Sequence, residues 1–267
     1  MVLESFRMDG KVAVVTGSGR GLGKAMAKAL AAAGASVVCA ARTPEQIDAT
    51  VAEITADGGK AIAVPTDVTS SAAVDALVAR AISEYGRLDV MIANAGGGGG
   101  PQDVEFWEYP DDAFDAVLAT NLKSAFYSGR AAAREFVRQG EGGVIVNVAS
   151  GTALRGNQQF AYPTAKGGVI SLTRSEATML AKHRIRVNAI HPGVIDTDMG
   201  AQTFVTRAQF AGTNDVEAAR STATSHHPIG RLGTAKDIAL GIVYLASDDA
   251  AFMTGSSLVV DGGLTAQ

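Results

Sequence analysis

The sequence predicts an α/β protein built on a doubly wound parallel sheet of about seven strands, with helices on both faces. Short apolar runs alternate along the whole chain with longer segments of helical periodicity. Several runs, such as 12–15 and 144–146, are continuously apolar, as strands buried on both faces of a parallel sheet usually are. Because no internal repeat or linker interrupts this alternation, residues 1–267 are predicted to form one domain that carries both the cofactor and the substrate site.

Short segments rich in aliphatic and β-branched residues, bounded by turn residues, are predicted as strands. In chain order they are Lys11–Thr16, Ser36–Ala41, Lys60–Pro65, Leu88–Ala93, Gly143–Val148, Arg184–Ile190 and Ser257–Val260. Helical segments connect most of them, so neighbouring strands are expected to run parallel.

The segments with helical periodicity are predicted as helices. They are Gly21–Ala33, Pro44–Ala56, Ser70–Tyr85, Asp111–Arg138, Phe160–Ala181 and Ala235–Ser247. Gly34 is a natural stop for the first helix, Pro44 suits the first turn of the second, and Ser70 or Ser71 suits the N-cap of the third. The segment Asp111–Arg138 can carry one long helix.

Two segments interrupt the alternation of predicted strands and helices: Gly96–Pro101 and Asp198–Gly230. Both follow strand ends, where open α/β sheets bind ligands. The glycine run is expected to be a flexible turn, because no helix begins there to bind a phosphate. The second segment, together with Thr152–Phe160, is expected to shape the substrate pocket.

Composition and charge exclude several classes of partner. The 267 residues carry a net charge of −4 without a long basic run, which argues against nucleic acid and anionic membranes. No uninterrupted apolar stretch of ~20 residues is present, so a membrane span is not expected. The chain is expected to be a cytoplasmic protein. The single cysteine, Cys39, lies in an apolar run and is expected to be a core residue.

Four histidines, His183, His191, His226 and His227, show no metal-ligand spacing backed by carboxylates. No metal site is therefore predicted, and a surface or loop position is expected for each of them.

A glycine-rich loop follows the first predicted strand and opens a helix. It comprises Gly17, Ser18, Gly19, Arg20, Gly21, Leu22 and Gly23. Glycines let the backbone approach a pyrophosphate, and the helix N-terminus supplies free N–H groups and partial positive charge. No Gly-Lys-Ser/Thr follows, which excludes a nucleoside triphosphate loop of the Walker type. The loop predicts a dinucleotide cofactor.

A second motif is Tyr162-Pro163-Thr164-Ala165-Lys166. Residues four apart share one helix face, so the ammonium of Lys166 can lie near the Tyr162 phenol and the cofactor ribose. The lysine cation and an oxidised nicotinamide both favour phenolate and so lower the tyrosine pKa, which suits acid–base catalysis. Pro163 is tolerated if Tyr162 lies at the start of its helix.

The glycine spacing, Thr-Gly-x-x-x-Gly-x-Gly, and the Tyr-x-x-x-Lys motif together resemble the short-chain dehydrogenase/reductase family, in its single-domain branch. The resemblance covers nearly the whole chain. It implies a Rossmann-like oxidoreductase that moves a hydride between NAD(P)(H) and the carbonyl or alcohol carbon of a small molecule. It also implies a homo-oligomer, most simply a homotetramer.

The resemblance assigns roles to further residues. Ser150 would hydrogen-bond the substrate oxygen, and Asn121 would help hold a water that relays protons to Lys166. The remaining cofactor contacts would come from Asp67 and Val68 at the adenine, from Asn94, Ala95 and Gly96 beside the adenosine half, and from Pro192, Gly193, Ile195 and Thr197 at the nicotinamide. Ala93 replaces the first asparagine of the family's Asn-Asn-Ala-Gly turn.

The end of the second strand predicts the cofactor. NAD binders place an acidic residue there to hold the ribose 2′-hydroxyl. In this chain the position is Ala41, followed by Arg42, and Arg20 lies in the glycine loop. Two guanidinium groups without a carboxylate favour a 2′-phosphate, so NADP(H) is predicted over NAD(H).

Three functions stay open on the sequence. The first is an NADP(H)-linked ketone reductase or secondary alcohol dehydrogenase, and the second is an NAD-linked alcohol dehydrogenase. The third is a cofactor-sensing binding protein without catalysis. The joint presence of Ser150, Tyr162 and Lys166 favours an enzyme, since loss of catalysis usually begins at such positions.

Overall fold

A parallel sheet organises the computed structural model, which describes residues 6–98, 100–101, 104–156, 160–197, 201, 204–206, 208–209 and 212–267. Within these residues its strands are β1 Val12–Thr16, β2 Ser36–Ala41, β3 Lys60–Pro65, β4 Val90–Ala93, β5 Gly143–Val148, β6 Ile185–Pro192 and β7 Ser257–Val260. They pair in parallel in the order β3-β2-β1-β4-β5-β6-β7. The predicted seven-stranded doubly wound sheet is confirmed.

Helices cover both faces of this sheet. They are α1 Gly21–Ala32, α2 Pro44–Ala56, α3 Ser71–Tyr85, α4 Asp111–Leu118, α5 Ser124–Gln139, α6 Ala161–Leu180, α7 Val216–Ser225 and α8 Ala235–Ala246. Apolar side chains of α1, α2 and α8 form the core on one face, and those of α3, α5 and α6 form the core on the other. Helices on both faces explain why the central strands are apolar throughout.

The strand order reverses between β1 and β4, because the chain returns to the sheet centre after β3. Open α/β sheets bind ligands at such a switch point, outside the carboxyl ends of the strands. The glycine loop after β1 and the turn after β4 lie at this place. The topology therefore puts the predicted cofactor residues at one edge.

Three local features refine the predicted helices. The long segment Asp111–Arg138 is helical but contains a π-helical turn, Ala119–Lys123, between α4 and α5. Ser70 caps α3 by accepting a hydrogen bond from the Ala73 amide at 3.3 Å. Pro163 lies in the first turn of α6, where its missing N–H has no intrahelical partner to lose. Among the described helices none is long and apolar enough to span a bilayer.

Two expectations for buried groups have opposite outcomes. Cys39 is fully buried in the core, as expected, and burial raises the pKa of its thiol to about 11. His191 is buried in β6, so the expected surface or loop position is wrong for it. His227 lies in the loop after α7, as expected, but is buried there. Each ring lies within hydrogen-bond distance of a backbone carbonyl, which makes burial of the imidazole tolerable.

Glu176 of α6 is a partly buried residue whose carboxyl group lies near α5 and β5. Its Oε2 accepts a hydrogen bond from Asn147 Nδ2 at 3.0 Å, and a Cβ at Gly129 of α5 would collide with its carboxyl group. Burial raises the pKa of Glu176 from 4.5 to about 7, and the Asn147 hydrogen bond opposes the shift. The native state therefore binds this proton more tightly than the unfolded chain does. Stability from this group is present below about pH 4.5 and is lost as the pH rises through about 7.

Glu176→Gln is expected to keep the neutral side chain at every pH. At pH 8 the variant should have a free energy of unfolding about 1–2 kcal/mol higher than wild type, and at pH 4.5 the two should be equal. Denaturant unfolding at both pH values measures the difference. The exposed Glu45→Gln on α2 is the matched control and should show no such pH-dependent gain. An equal effect of Glu176→Gln at both pH values would contradict the raised pKa.

Candidate active site at the carboxyl edge of the sheet

The glycine loop has a shape that only glycine allows at two positions. Gly17 has φ +69°, and its amide donates to the Ala40 carbonyl at 2.7 Å. A Cβ at Gly23 would collide with the Gly17 carbonyl and would lie 2.6 Å from Asn94 Nδ2. Because both positions lack a side chain, the start of α1 packs directly against the end of β1.

The N-terminus of α1 has the features of an anion-binding site. Arg20 is the N-cap residue, its side chain makes no capping hydrogen bond, and it is exposed. The first N–H groups of the helix then carry partial positive charge without a side-chain acceptor at the N-cap. This arrangement fits the diphosphate of a dinucleotide. Ser18 is buried beneath the loop, where its carbonyl accepts from Thr50 Oγ1 at 3.0 Å.

Thr16 ties the ends of β1 and β4 together. Its Oγ1 accepts from the amides of Asn94 and Ala95, both at 3.0 Å. Asn94 Nδ2 in turn donates to the Thr16 carbonyl at 2.8 Å. The turn after β4 is thereby fixed beside the glycine loop. Sequence analysis includes Thr16 in the glycine motif but assigns it no role, because its hydrogen bonds to the turn after β4 form only when the strands pair.

Asn121 lies in the π-helical turn and is 1% exposed. Its Nδ2 donates to the Gly97 carbonyl at 3.0 Å, and its Oδ1 accepts from the Gly97 amide at 3.0 Å. A Cβ at Gly96 would lie 2.6 Å from Asn121 Oδ1 and 3.1 Å from Lys166 Nζ. The turn after β4, the π turn and α6 therefore meet at one point. π turns of this kind are frequent at functional sites.

Lys166 is 3% exposed on the inner face of α6. Its Nζ donates to the Val148 carbonyl at 2.7 Å and lies 5.7 Å from the centroid of the Tyr162 ring. Burial lowers the pKa of this lysine to about 8. The sequence does not reveal this partner at the end of β5, because every residue type carries a backbone carbonyl.

Ser150 follows β5 and faces the same space. It is 7% exposed, and its Oγ accepts from the Thr152 amide at 3.2 Å and lies 2.8 Å from Thr152 Oγ1. Burial raises the pKa of the Tyr162 phenol, and a hydrogen bond with the Ser150 side chain opposes the shift. The lowering of the Tyr162 pKa that the sequence predicts requires Lys166 and an oxidised nicotinamide together, and it stays a prediction.

The predicted adenosine contacts lie beyond β2 and β3. Arg42 is exposed at the end of β2 and interacts electrostatically with Asp67 after β3. Asp67 Oδ1 accepts from the amide and the hydroxyl of Thr69, at 3.0 and 2.8 Å, and these bonds lower its pKa. Val68 is buried in the core.

The segment after β6 lies over the glycine loop. The Gly193 amide donates to the Val260 carbonyl at 3.1 Å, and a Cβ at Gly193 would lie 2.8 Å from Asp261 Cα. Ile195 is buried and forms a parallel bridge with Gly233. A Cβ at Gly21 would lie 3.9 Å from Thr197 Cβ. Pro192, at the end of β6, thus leads into a segment that passes close to the glycine loop.

The predicted substrate segments are described only in part. Residues 157–159 of Thr152–Phe160 lie outside the described residues. So do residues 198–200, 202–203, 207 and 210–211 of Asp198–Gly230, and residue 99 of the glycine run. Within the described part of the long segment, α7 is a helix that its weak periodicity did not predict.

Comparison with known proteins decides the family. A family model described as enoyl-(acyl carrier protein) reductase matches residues 17–265. A short-chain type dehydrogenase/reductase from Mycobacterium marinum is 34% identical, with a TM-score of 0.90, over 100% of both chains. The chain belongs to the short-chain dehydrogenase/reductase family. It is an oxidoreductase of CH–OH and C=O groups that uses NAD(P), as the sequence predicts.

Two further members show the range of the relatives. The L-rhamnose 1-dehydrogenase (NAD(P)(+)) of a Sphingomonas species is 39% identical over 96% of this chain and 97% of its own length. A candidate 2-deoxy-D-gluconate 3-dehydrogenase from Agrobacterium tumefaciens, crystallised with NADP, is 35% identical. Its TM-score is 0.84 over 98% of this chain and 99% of that chain.

Proposed function

We propose that this short-chain dehydrogenase/reductase reduces the ketone of a small molecule with NADPH, or oxidises the matching secondary alcohol with NADP⁺, and that one domain, residues 1–267, carries both sites. One observation carries the proposal: Lys166 Nζ lies between the Tyr162 ring and Gly96, at the edge of the sheet where the glycine loop opens. The acid–base group Tyr162, the cation Lys166 and the glycine loop proposed to bind the cofactor therefore share one site. This is the constellation that carbonyl reduction by hydride needs.

The residues have distinct tasks in the reduction. Ser150 Oγ donates a hydrogen bond to the substrate oxygen and polarises the C=O bond. The Tyr162 phenol gives its proton to that oxygen as the carbon gains a hydride, so the C=O π electrons end as the O–H bond of the alcohol. When bound, the nicotinamide supplies this hydride, or accepts it in the reverse direction. Lys166 stabilises the resulting phenolate, and Asn121 fixes the turn of residues 96–97 beside it.

The cofactor would be held by residues that fit it. The diphosphate would lie on Gly17, Ser18, Gly19, Arg20, Gly21, Leu22 and Gly23; the adenosine half against Arg42, Asp67, Val68, Asn94, Ala95 and Gly96; the ribose at Tyr162 and Lys166; and the nicotinamide at Pro192, Gly193, Ile195 and Thr197. The uncapped start of α1 and the glycine cradles support this assignment.

The ionisation of the site supports the reductive direction. Burial raises the pKa of Tyr162, which keeps the phenol protonated and ready to act as an acid at neutral pH. Lys166 carries its charge below about pH 8. Reduction is therefore expected to lose rate as the pH rises through about 8, where Lys166 loses its charge, whereas oxidation needs the deprotonated phenol.

The second candidate is an NAD-linked alcohol dehydrogenase. The relative named L-rhamnose 1-dehydrogenase (NAD(P)(+)) favours it, because that name includes both cofactors. The two functions separate in one assay. NADPH and NADH oxidation is followed on sugar-derived, cyclic, aliphatic and acyl-thioester ketones, and NADP⁺ and NAD⁺ reduction on the corresponding alcohols and L-rhamnose. Faster NADPH turnover on a ketone supports the proposal, and faster NAD⁺ turnover supports the second candidate. Cofactor binding without turnover on the whole panel would favour a binding protein.

The homotetramer that the family resemblance implies has two candidate contact regions, each with exposed apolar side chains. The first, on the adjacent helices α5 and α6, exposes Phe126, Val137 and Met179. The second, on α8 and around β7, exposes Leu240, Phe252 and Val259. Isologous contacts through both surfaces would give a closed assembly of four copies.

Light scattering at micromolar concentration is expected to give about four times the chain mass of 27.3 kDa. Met179→Glu and Leu240→Glu should each reduce this mass to that of a dimer, because each buries a charge in one interface. Ala52→Glu on the exposed face of α2 is the matched control and should remain tetrameric. A monomeric wild type would refute the assembly.

A further inference from the structure

His191 is a buried imidazole next to the candidate active site. It lies in β6, directly before Pro192, and is 0% exposed. Its Nδ1 lies 3.3 Å from the carbonyl oxygen of Ser150. The ring therefore connects the strand end that carries the serine to the strand end that leads into the proposed nicotinamide segment.

The surroundings determine which nitrogen carries the proton. A carbonyl oxygen only accepts hydrogen bonds, so Nδ1 must be the protonated nitrogen. The pKa of His191 is lowered, mainly by burial, although the hydrogen bond with the Ser150 carbonyl opposes the shift. Arg174 and Lys166 of α6 also lower it, and Asp261 beyond β7 raises it. The ring is therefore neutral, and Nε2 is an unprotonated acceptor. Nε2 is buried without a hydrogen-bond partner among the described residues, which is tolerated more easily by a lone pair than by an N–H group.

Both the hydroxyl and the carbonyl group of Ser150 make contacts in this arrangement. Its Oγ contacts Thr152, while its carbonyl accepts from His191 Nδ1 and from the Ala153 amide at 3.2 Å. The chain leaves β5 here and enters a 3₁₀ turn, Gly151–Leu154, so the strand ladder no longer fixes the serine backbone. The hydrogen bonds from His191 and Ala153 to the Ser150 carbonyl therefore hold the serine backbone in place here.

We propose that His191 is a positioning residue for Ser150: its Nδ1–H holds the serine carbonyl and thereby aims the hydroxyl at the substrate oxygen. The same ring keeps a fixed distance between the serine and the segment that begins at Pro192. The proposal rests on the proposed function, since it assigns Ser150 to the substrate. A misplaced polarising group lowers turnover more than binding.

Replacement by asparagine, glutamine and leucine tests the proposal. The asparagine amide nitrogen takes the place of Nδ1, whereas the glutamine amide nitrogen takes that of Nε2. His191→Leu and His191→Gln are expected to lower kcat about 10-fold, with KM and cofactor Kd within about threefold of wild type. His191→Asn should recover most of that turnover. His183→Leu, an exposed histidine at the far end of α6, is the matched control. Equal kcat in the asparagine, glutamine and leucine variants would overturn the proposal.

A second measurement does not depend on turnover. ¹⁵N spectra of histidine-labelled protein distinguish the two neutral tautomers, and the His191→Asn spectrum identifies the His191 signals by their loss. A neutral Nδ1–H ring at pH 7 is the expected result. An Nε2–H ring or an imidazolium would overturn the proposal whether or not the enzyme turns over. A wild type that is inactive on every carbonyl, with the expected tautomer, would instead count against the proposed function.

Discussion

Replacing Tyr162 with phenylalanine is expected to lower kcat for ketone reduction by ~100-fold or more, the scale of a lost general acid. The ring stays, so its packing against Lys166 is kept, while the proton that must reach the substrate oxygen is gone. Ser150 can still polarise the carbonyl, which leaves a residual rate. Cofactor affinity should change little, because the diphosphate and adenosine contacts lie elsewhere. Steady-state kinetics and NADPH fluorescence titration measure the two effects separately.

Tyr85→Phe is the matched control for this experiment. Tyr85 ends α3, is only partly buried and lies outside the site, so its hydroxyl should be dispensable for turnover. Thermal melting verifies that both variants fold. Near-normal turnover in a folded Tyr162→Phe variant would contradict the mechanism, and equal losses in both variants would indicate a general effect on stability.

The boundaries of four strands, β2, β3, β5 and β7, were predictable from the sequence and agree with the structure. β2 and β5 contain continuous apolar runs because they are buried on both faces. β3 and β7 are only partly buried at the sheet edges, and turn residues mark their ends. The break in Asp111–Arg138 was not predictable. A π turn adds one residue to a helical turn without a compositional signal, and here the hydrogen bonds of Asn121 to Gly97 accompany it.

The candidate site likewise contains residues that the sequence predicts and contacts that it does not. Tyr162 and Lys166 were named from their spacing and Ser150 from the family resemblance, because the chemistry requires particular residue types. Their partners were not, since the Val148 carbonyl holds Lys166 and the Ser150 carbonyl meets His191 only after the strands pair. Local patterns do not report contacts between residues far apart in the chain.

The corner beyond β2 has the charge expected for a 2′-phosphate. Ala41 is the last residue of β2, so no carboxylate stands where NAD binders place one. Arg42 follows and is exposed. Asp67 interacts electrostatically with Arg42, but Thr69 engages the Oδ1 of Asp67 with two hydrogen bonds. Asp67 is therefore tied into its own turn and does not replace the missing carboxylate at Ala41.

Arg42→Ala is expected to weaken NADP(H) binding by roughly 10- to 100-fold, because each hydrogen bond to a charged phosphate contributes ~1.5–3 kcal/mol. NAD(H) affinity should barely change, since its ribose 2′-hydroxyl offers no dianion. Ala41→Asp is the converse variant: its carboxylate should repel the 2′-phosphate and accept from the NAD ribose, so the preference should invert. Titration of both cofactors against wild type and both variants measures this. A wild type that binds NAD(H) more tightly, or an Arg42→Ala variant that loses both cofactors equally, would show that this corner does not select NADP(H).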